Sequence, residues 1–189
     1  MFYVINGKKI IKILKIVVFF ILVIFVCRSI INYIFPIQYE EIIEKYAKKY
    51  NIQEELVFAV INAESRFDKN AISNKGAIGL MQIMPETGQW LSEKLKLDDF
   101  SEEMLYTPEI NIQLGCYYLG YLLEKFNDEK LALCAYNAGT TNVYRWLDND
   151  KYSLDGNIHT IPFKETNKYV KKIKILKKGY VILLNNIRI

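Results

Sequence analysis

Past Pro36 the apolar residues of this chain recur every three or four positions and almost nowhere alternate. That is the period of helices, each burying one face. Ile42, Ile43, Tyr46, Ala47 and Tyr50 form one stripe, and Leu56, Val57, Val60 and Ile61 form the next, with Asn51 a candidate cap before it. Pro85 suits the first turn of a third helix running through Trp90 and Leu95, with Glu86 at its positive end. Pro108 likewise opens a long helix to Phe126 carrying Leu114, Tyr118, Tyr121 and Leu122. Another runs from Glu129 to Ala138 and is expected to stop at Gly139. The last stripe is Tyr169, Ile173, Leu176, Tyr180, Leu183 and Ile187, with lysines on the opposite face. Nothing supports a sandwich or a doubly wound sheet, so the expected class is all-α, one domain over residues 36–189.

The first 35 residues follow a different pattern. Ile16 to Cys27 is an uncharged run of 12 residues, about 18 Å of helix and short of a hydrocarbon core of roughly 30 Å. Counted from Ile13 to Phe35 the apolar segment is 23 residues, enough to span if Lys15 and Arg28 snorkel. A cleaved signal sequence has similar basic and apolar regions. Against cleavage, Val26-Cys27-Arg28-Ser29 offers no small-x-small site, and bulky Val26 argues against a lipid-modified Cys27. The favoured reading is a short cytosolic tail and a membrane anchor over residues 1–35. Four lysines precede the apolar core and one arginine follows it, which leaves the N-terminus inside and sends the helical domain to the extracytoplasmic face.

Charge sharpens this picture. The net +4 divides into +5 over residues 1–35, −8 over 36–163 and +7 over 164–189. With no basic surface in the middle of the chain, nucleic-acid binding has little support. The basic last helix either packs its apolar stripe with its lysines solvated, or turns them toward anionic wall polymer or lipid. A single histidine, His159, and three cysteines exclude a histidine-based metal site and a disulfide scaffold. Cys116 and Cys134 could pair outside the cell or remain buried thiols. The 14 Tyr and 10 Phe among 189 residues suit a partner with flat, partly apolar faces.

Glu64 is the most informative residue. Val57, Val60, Ile61, Glu64 and Phe67 share one face, which places a carboxylate on the apolar side near a helix end. Desolvation there raises a carboxyl pKa, the requirement for a general acid. A structural glutamate paired with Arg66 fits the same pattern. Beyond it stand Ser73, Gly76-Ala77-Ile78-Gly79-Leu80-Met81-Gln82-Ile83-Met84-Pro85, then Ala135-Tyr136-Asn137-Ala138-Gly139, then Ile161-Pro162-Phe163-Lys164-Glu165-Thr166 and Tyr169-Val170. The two glycines suit a tight loop whose backbone approaches a ligand closely.

In this order and spacing the segments resemble the catalytic domain of soluble lytic transglycosylases, glycoside hydrolase family 23, related to goose-type lysozyme. The resemblance covers about residues 39–184, with no departure at the motif positions. It implies a lysozyme-like fold with a groove for peptidoglycan glycan strands, Glu64 as the single catalytic acid/base, and no metal or dissociable cofactor. It implies that Ser73, Gln82, Met84, Tyr136 and Glu165 touch the glycan, and that Asn137 and Tyr169 stand behind them. The implied reaction opens the bond between N-acetylmuramic acid and N-acetylglucosamine and leaves 1,6-anhydromuramic ends. Hydrolysis of the same bond, with Glu165 or Asp68 as a second carboxylate, and a silent peptidoglycan-binding protein are the alternatives. A cysteine peptidase using Cys134 or Cys116 with His159 has only the residue types. Wall turnover, a wall-spanning secretion or conjugation machine, sporulation and phage release all remain open as settings.

Overall fold

The computed structural model describes residues 7–187, with side chains from residue 11. The side chains of Lys8 and Lys9, and residues Arg188 and Ile189, lie outside the described residues. The chain forms two units, residues 1–36 and 37–189.

Among the described residues the first unit holds one helix, α1 (Gly7–Ile34). Within it Ile11–Ile34, 24 residues containing an 18-residue stretch of mean hydropathy 2.7, is long and apolar enough to cross a membrane, and none of that stretch is buried by protein.

The second unit is built of seven α-helices, a short 3-10 helix (Glu102–Tyr106) and one small hairpin among the described residues. Helix α2 (Glu40–Lys49) has Glu40 and Glu41 in its first turn and Lys48 and Lys49 in its last, matching the helix dipole. It buries Ile43, Tyr46 and Ala47. Its Tyr46 hydroxyl donates to Glu109 Oε1 at 2.6 Å on α5 (Pro108–Phe126). Helix α3 (Glu54–Glu64) is buried at every residue from Leu56 to Asn62, so it runs through the core rather than along a surface. The expected stripe was one side of a helix covered all round. Asn51 does not cap it, because Gln53 occupies the N-cap and Asn51 adopts a left-handed turn at φ 53°.

Helix α4 (Pro85–Leu95) and α5 begin at their prolines as expected. Helix α6 (Glu129–Ala138) ends at Gly139, but the chain does not stop being helical there. Gly139, at φ 84° and ψ 147°, joins α6 directly to α7 (Thr140–Leu147), which buries only Val143 and Trp146. Two-residue strands β1 (Ser153–Leu154) and β2 (Asn157–Ile158) pair antiparallel. Helix α8 (Lys164–Ile187) packs along α3, burying Tyr169, Ile173, Leu176, Tyr180 and Leu184. The stripe shifts one residue at its end: Leu184 is buried, Leu183 is half-buried and Ile187 is 57% exposed. Asn62 Nδ2 donates to the Tyr180 hydroxyl at 2.8 Å, a polar bond inside the α3–α8 contact. The lysines of α8 are not uniformly solvated, since Lys177 pairs with Glu129 at 2.5 Å and Lys172 donates to the Ala63 carbonyl at 2.9 Å. The all-α expectation stands.

Candidate active site

Between α3 and α4 the chain leaves regular structure and folds back on itself. Isolated antiparallel bridges link Ile72 to Ile78 and Ile78 to Ile83. Arg66, Phe67, Gly76, Gly79 and Gln82 all take positive φ, giving a loop too tightly wound for a strand or helix. Such a coil needs partners for its peptide groups, and side chains of three helices supply them. Ser65, just past α3, donates to the Leu80 carbonyl at 2.8 Å. Asn111, fully buried on α5, accepts from Met81 N–H at 2.8 Å and donates to the carbonyls of Ile78 at 2.9 Å and Leu105 at 2.8 Å. Tyr136, near the end of α6, donates to the Met81 carbonyl at 2.8 Å.

The close approach expected at the glycines is to the protein itself. A Cβ on Gly79 would sit 2.3 Å from Asn111 Nδ2 and 2.4 Å from the Leu105 carbonyl, whereas one on Gly76 would meet nothing within 4 Å.

This pinned loop forms one wall of a cleft of about 520 Å³ lined by Glu64, Ser73, Asn74, Lys75, Ala77, Gln82, Met84, Tyr136, Asn137 and Glu165. Seven candidate residues from four separate stretches of sequence thus share one cleft, and Tyr169 stands behind Glu64. Two hollows of about 670 Å³ lie elsewhere, one between α2 and α5 and one between α6 and α8, but neither includes any of these eight residues.

Glu64 ends α3, half-buried. Burial raises its pKa to about 7; the Tyr169 hydrogen bond and the Lys172 charge pull it down, and nearby Glu165 pushes it up. The Tyr169 hydroxyl donates to Glu64 Oε1 at 2.6 Å. Tyr169 is itself buried, which holds its own pKa well above the usual phenol value and keeps it a donor. The contact brings Tyr169 directly onto the carboxyl, closer than the expected supporting place. Arg66 is not the partner that shifts Glu64.

The other cleft residues divide by what they leave available. Ser73 Oγ accepts from the N–H groups of Ala77 at 2.9 Å and Lys75 at 3.3 Å, leaving its proton to donate into the cleft. Gln82 Nε2 donates to the carbonyls of Ala71 at 3.1 Å and Gly79 at 2.9 Å, which fixes the amide and leaves Oε1 as an acceptor. Asn137 Oδ1 accepts from Thr166 Oγ1 at 2.7 Å, tying the end of α6 to the start of α8. Glu165 is exposed, with Lys75 Nζ 3.8 Å away, a solvated pair worth little. Asp68, the other carboxylate considered, does not line the cleft and accepts from Asn70 N–H at 2.9 Å.

Asn74, Lys75, Ala77, Asn111 and Lys172 were missed by the sequence reading. Asn111 carries no signal of its own, being one of three polar residues, with Glu109 and Gln113, that alternate with isoleucines at the start of α5. The thiols of Cys116 and Cys134 are free and buried, so they do not pair. Burial raises both pKa values, that of Cys134 to about 11, and His159 is exposed with its Nδ1 3.1 Å from Thr160 Oγ1. Neither thiol is a nucleophile there.

Known proteins resemble this chain in sequence and fold. The family model described as the transglycosylase SLT domain matches residues 41–158, a span that contains Glu64, Ser73, Gln82, Met84, Tyr136 and Asn137 and ends before Glu165 and Tyr169. The chain is 34% identical over 143 residues to the soluble lytic murein transglycosylase of Escherichia coli, covering 74% of this chain and 22% of that protein. It is 28% identical to membrane-bound lytic murein transglycosylase C of Actinobacillus pleuropneumoniae, covering 76% and 46%. Among solved structures, an inactive mutant of the Pseudomonas aeruginosa lytic transglycosylase superposes with a TM-score of 0.72 at 36% identity, covering 80% of this chain and 25% of that one. The 70 kDa soluble lytic transglycosylase of E. coli gives a TM-score of 0.74 at 31% identity, covering 82% and 26%. This chain therefore spans about a quarter to a half of the length of the relatives it matches. With that match over more than half its residues, the chain belongs to the transglycosylase SLT domain family.

Proposed function

We propose that this chain is a lytic murein transglycosylase that cleaves the MurNAc-β-1,4-GlcNAc bond with Glu64 as sole acid and base. The observation that carries the reading is a desolvated carboxyl with a pKa of about 7 at the floor of the cleft. Near neutral pH about half of such groups hold a proton, and the other cleft-lining carboxyl, Glu165, is exposed. Protonated Glu64 gives its proton to the glycosidic oxygen as the bond to C1 breaks. The carboxylate left behind takes the proton of the muramyl 6-hydroxyl, whose oxygen closes on C1 and gives the 1,6-anhydro ring. Hydrogen-bonded by Tyr169, the carboxylate is stabilised while it waits between the two transfers. Ser73 donates to the glycan, Gln82 Oε1 accepts from an N-acetyl N–H, and Met84 and Tyr136 cover apolar sugar faces.

A hydrolytic reading keeps one support: Glu165 lines the same cleft and is a carboxylate. Two-carboxylate glycosidases hold their pair at a set separation across the bond, and Glu165 is the only second carboxylate lining the cleft among the described residues. The span Ile11–Ile34 supports anchoring by one membrane pass with the domain on the extracytoplasmic face, where murein lies.

Clearing of murein in a zymogram by the full chain tests the proposal, and a silent binder gives no cleared band. Activity is expected to fall as pH rises through about 7, because the acid form of Glu64 starts the reaction. Tyr169→Phe removes a hydrogen bond that favours the ionised form, so it should move that alkaline limb to higher pH. A limb that stays in place, or moves down, would take Tyr169 out of the control of Glu64.

A further inference from the structure

Ring contacts run on from the cleft past the motif residues. Tyr136, in the cleft, meets Tyr118 with centroids 5.4 Å apart. Tyr118 meets Trp90 edge-on at 6.1 Å, and Trp90 meets Tyr121 edge-on at 5.9 Å. The rings come from three helices, Trp90 on α4, Tyr118 and Tyr121 on α5 and Tyr136 on α6. From Met84, the N-cap of α4, Thr87 and Trp90 follow at three-residue spacing, a band leading outward from the cleft. Tyr136 and Tyr118 are half-buried, while Trp90 and Tyr121 are 37% and 36% exposed. Gly88, Leu91 and Ser92 make the buried face of α4, and the indole lies outside it. At the far end Lys125 Nζ donates to the Tyr121 hydroxyl at 3.0 Å and stands 5.3 Å from the ring centroid.

We propose that Trp90 and Tyr121, propped by Tyr118, form an outer sugar platform that extends the cleft along the glycan strand, with Lys125 meeting a carboxylate the strand carries. The proposal rests on reading the cleft as a murein-cleaving site. Pyranose rings present flat C–H faces that pack on aromatic rings, and Trp and Tyr offer that area with few rotors to freeze. Muramyl units add lactyl or peptide carboxylates, so an aromatic surface ending in an ammonium matches an acidic sugar polymer. Contiguity with Tyr136 assigns the platform to sugars beyond those at the broken bond. Its effect is selection for length: strands that reach Trp90 bind more tightly than fragments too short to reach it.

Trp90 and Trp146 are the two tryptophans of the chain, and Trp146 is buried. Trp146→Phe therefore leaves Trp90 as the sole indole emitter. In the full chain in detergent, with Glu64→Gln to stop turnover, peptide-free murein glycan strands should shift Trp90 emission to the blue and saturate. The murein disaccharide should leave it unchanged. Independently, Trp90→Ala in the otherwise native chain should raise KM for strands roughly tenfold, the order of one aromatic contact, with kcat and the cleavage of tetrasaccharide unchanged. Strands that bind or are cleaved while Trp90 emission and the Trp90→Ala KM stay at their starting values would overturn the platform alone. A native chain that neither binds nor cleaves strands would overturn the function and the platform together.

Discussion

Glu64→Gln should lower the release of muropeptides by at least about 10²-fold while leaving the domain folded and able to hold murein. The amide keeps the shape and still accepts from Tyr169 through its oxygen, but it has no proton to give to a leaving oxygen. The same substitution should stabilise the protein in a defined pH range. Glu64 titrates near 7 in the folded chain against an ordinary value of 4.5. A carboxyl whose pKa is raised on folding holds its proton more tightly in the native state. Its burial is therefore harmless below 4.5 and becomes progressively unfavourable as pH climbs to 7, by on the order of 3 kcal/mol. The variant behaves like the protonated form throughout. Thermal melts at pH 4.5 should coincide, and at pH 8 the variant should melt higher. Equal melts at both pH values would contradict a desolvated Glu64, and near-native turnover would remove it from the mechanism.

The second large effect is on the loop rather than the acid. Gly79→Ala places a methyl 2.3 Å from Asn111 Nδ2 and 2.4 Å from a backbone carbonyl, at φ +79°. Asn111 also holds Met81 N–H and the Ile78 carbonyl, so it cannot yield without releasing the segment that carries Gln82 and Met84. Overpacking and a left-handed backbone together suggest a loss of about 3 kcal/mol or more. Activity should fall with it. Gly76→Ala, at φ +85° with open space around it, is the control and should cost only about 1 kcal/mol. Urea unfolding of the two variants checks this, and equal losses would show that the Gly79–Asn111 packing is not what fixes the loop.

The contrast between those glycines shows what the sequence makes legible. Helix starts at Pro85 and Pro108 follow from local backbone chemistry, so they could be read directly. Gly139 could be read as an end of α6 but not as a joint, because α7 has only Val143 and Trp146 as a buried signal. Trp90 fell on a helix pattern that did not say which residues face inward, and Gly88 and Leu91 do. Seven of the candidate site residues gather in one cleft because the motif spacings carry them. Tyr169 reaches Glu64 from 105 positions away, and Asn111 holds a loop 30 positions earlier. Such pairings depend on how α3, α5 and α8 pack, and no local pattern encodes them.

The central claim is that Glu64 works without a second carboxylate, and the ends of the products test it most directly. Murein digested by the full chain should yield muropeptides with 1,6-anhydromuramic ends, lighter by one water than hydrolysis products and inert to borohydride. Mass analysis before and after borohydride reads both properties at once. Anhydro ends throughout are the predicted result. Borohydride-reducible ends in their place would mean that water, not the 6-hydroxyl, attacks C1, and would transfer the second role to Glu165.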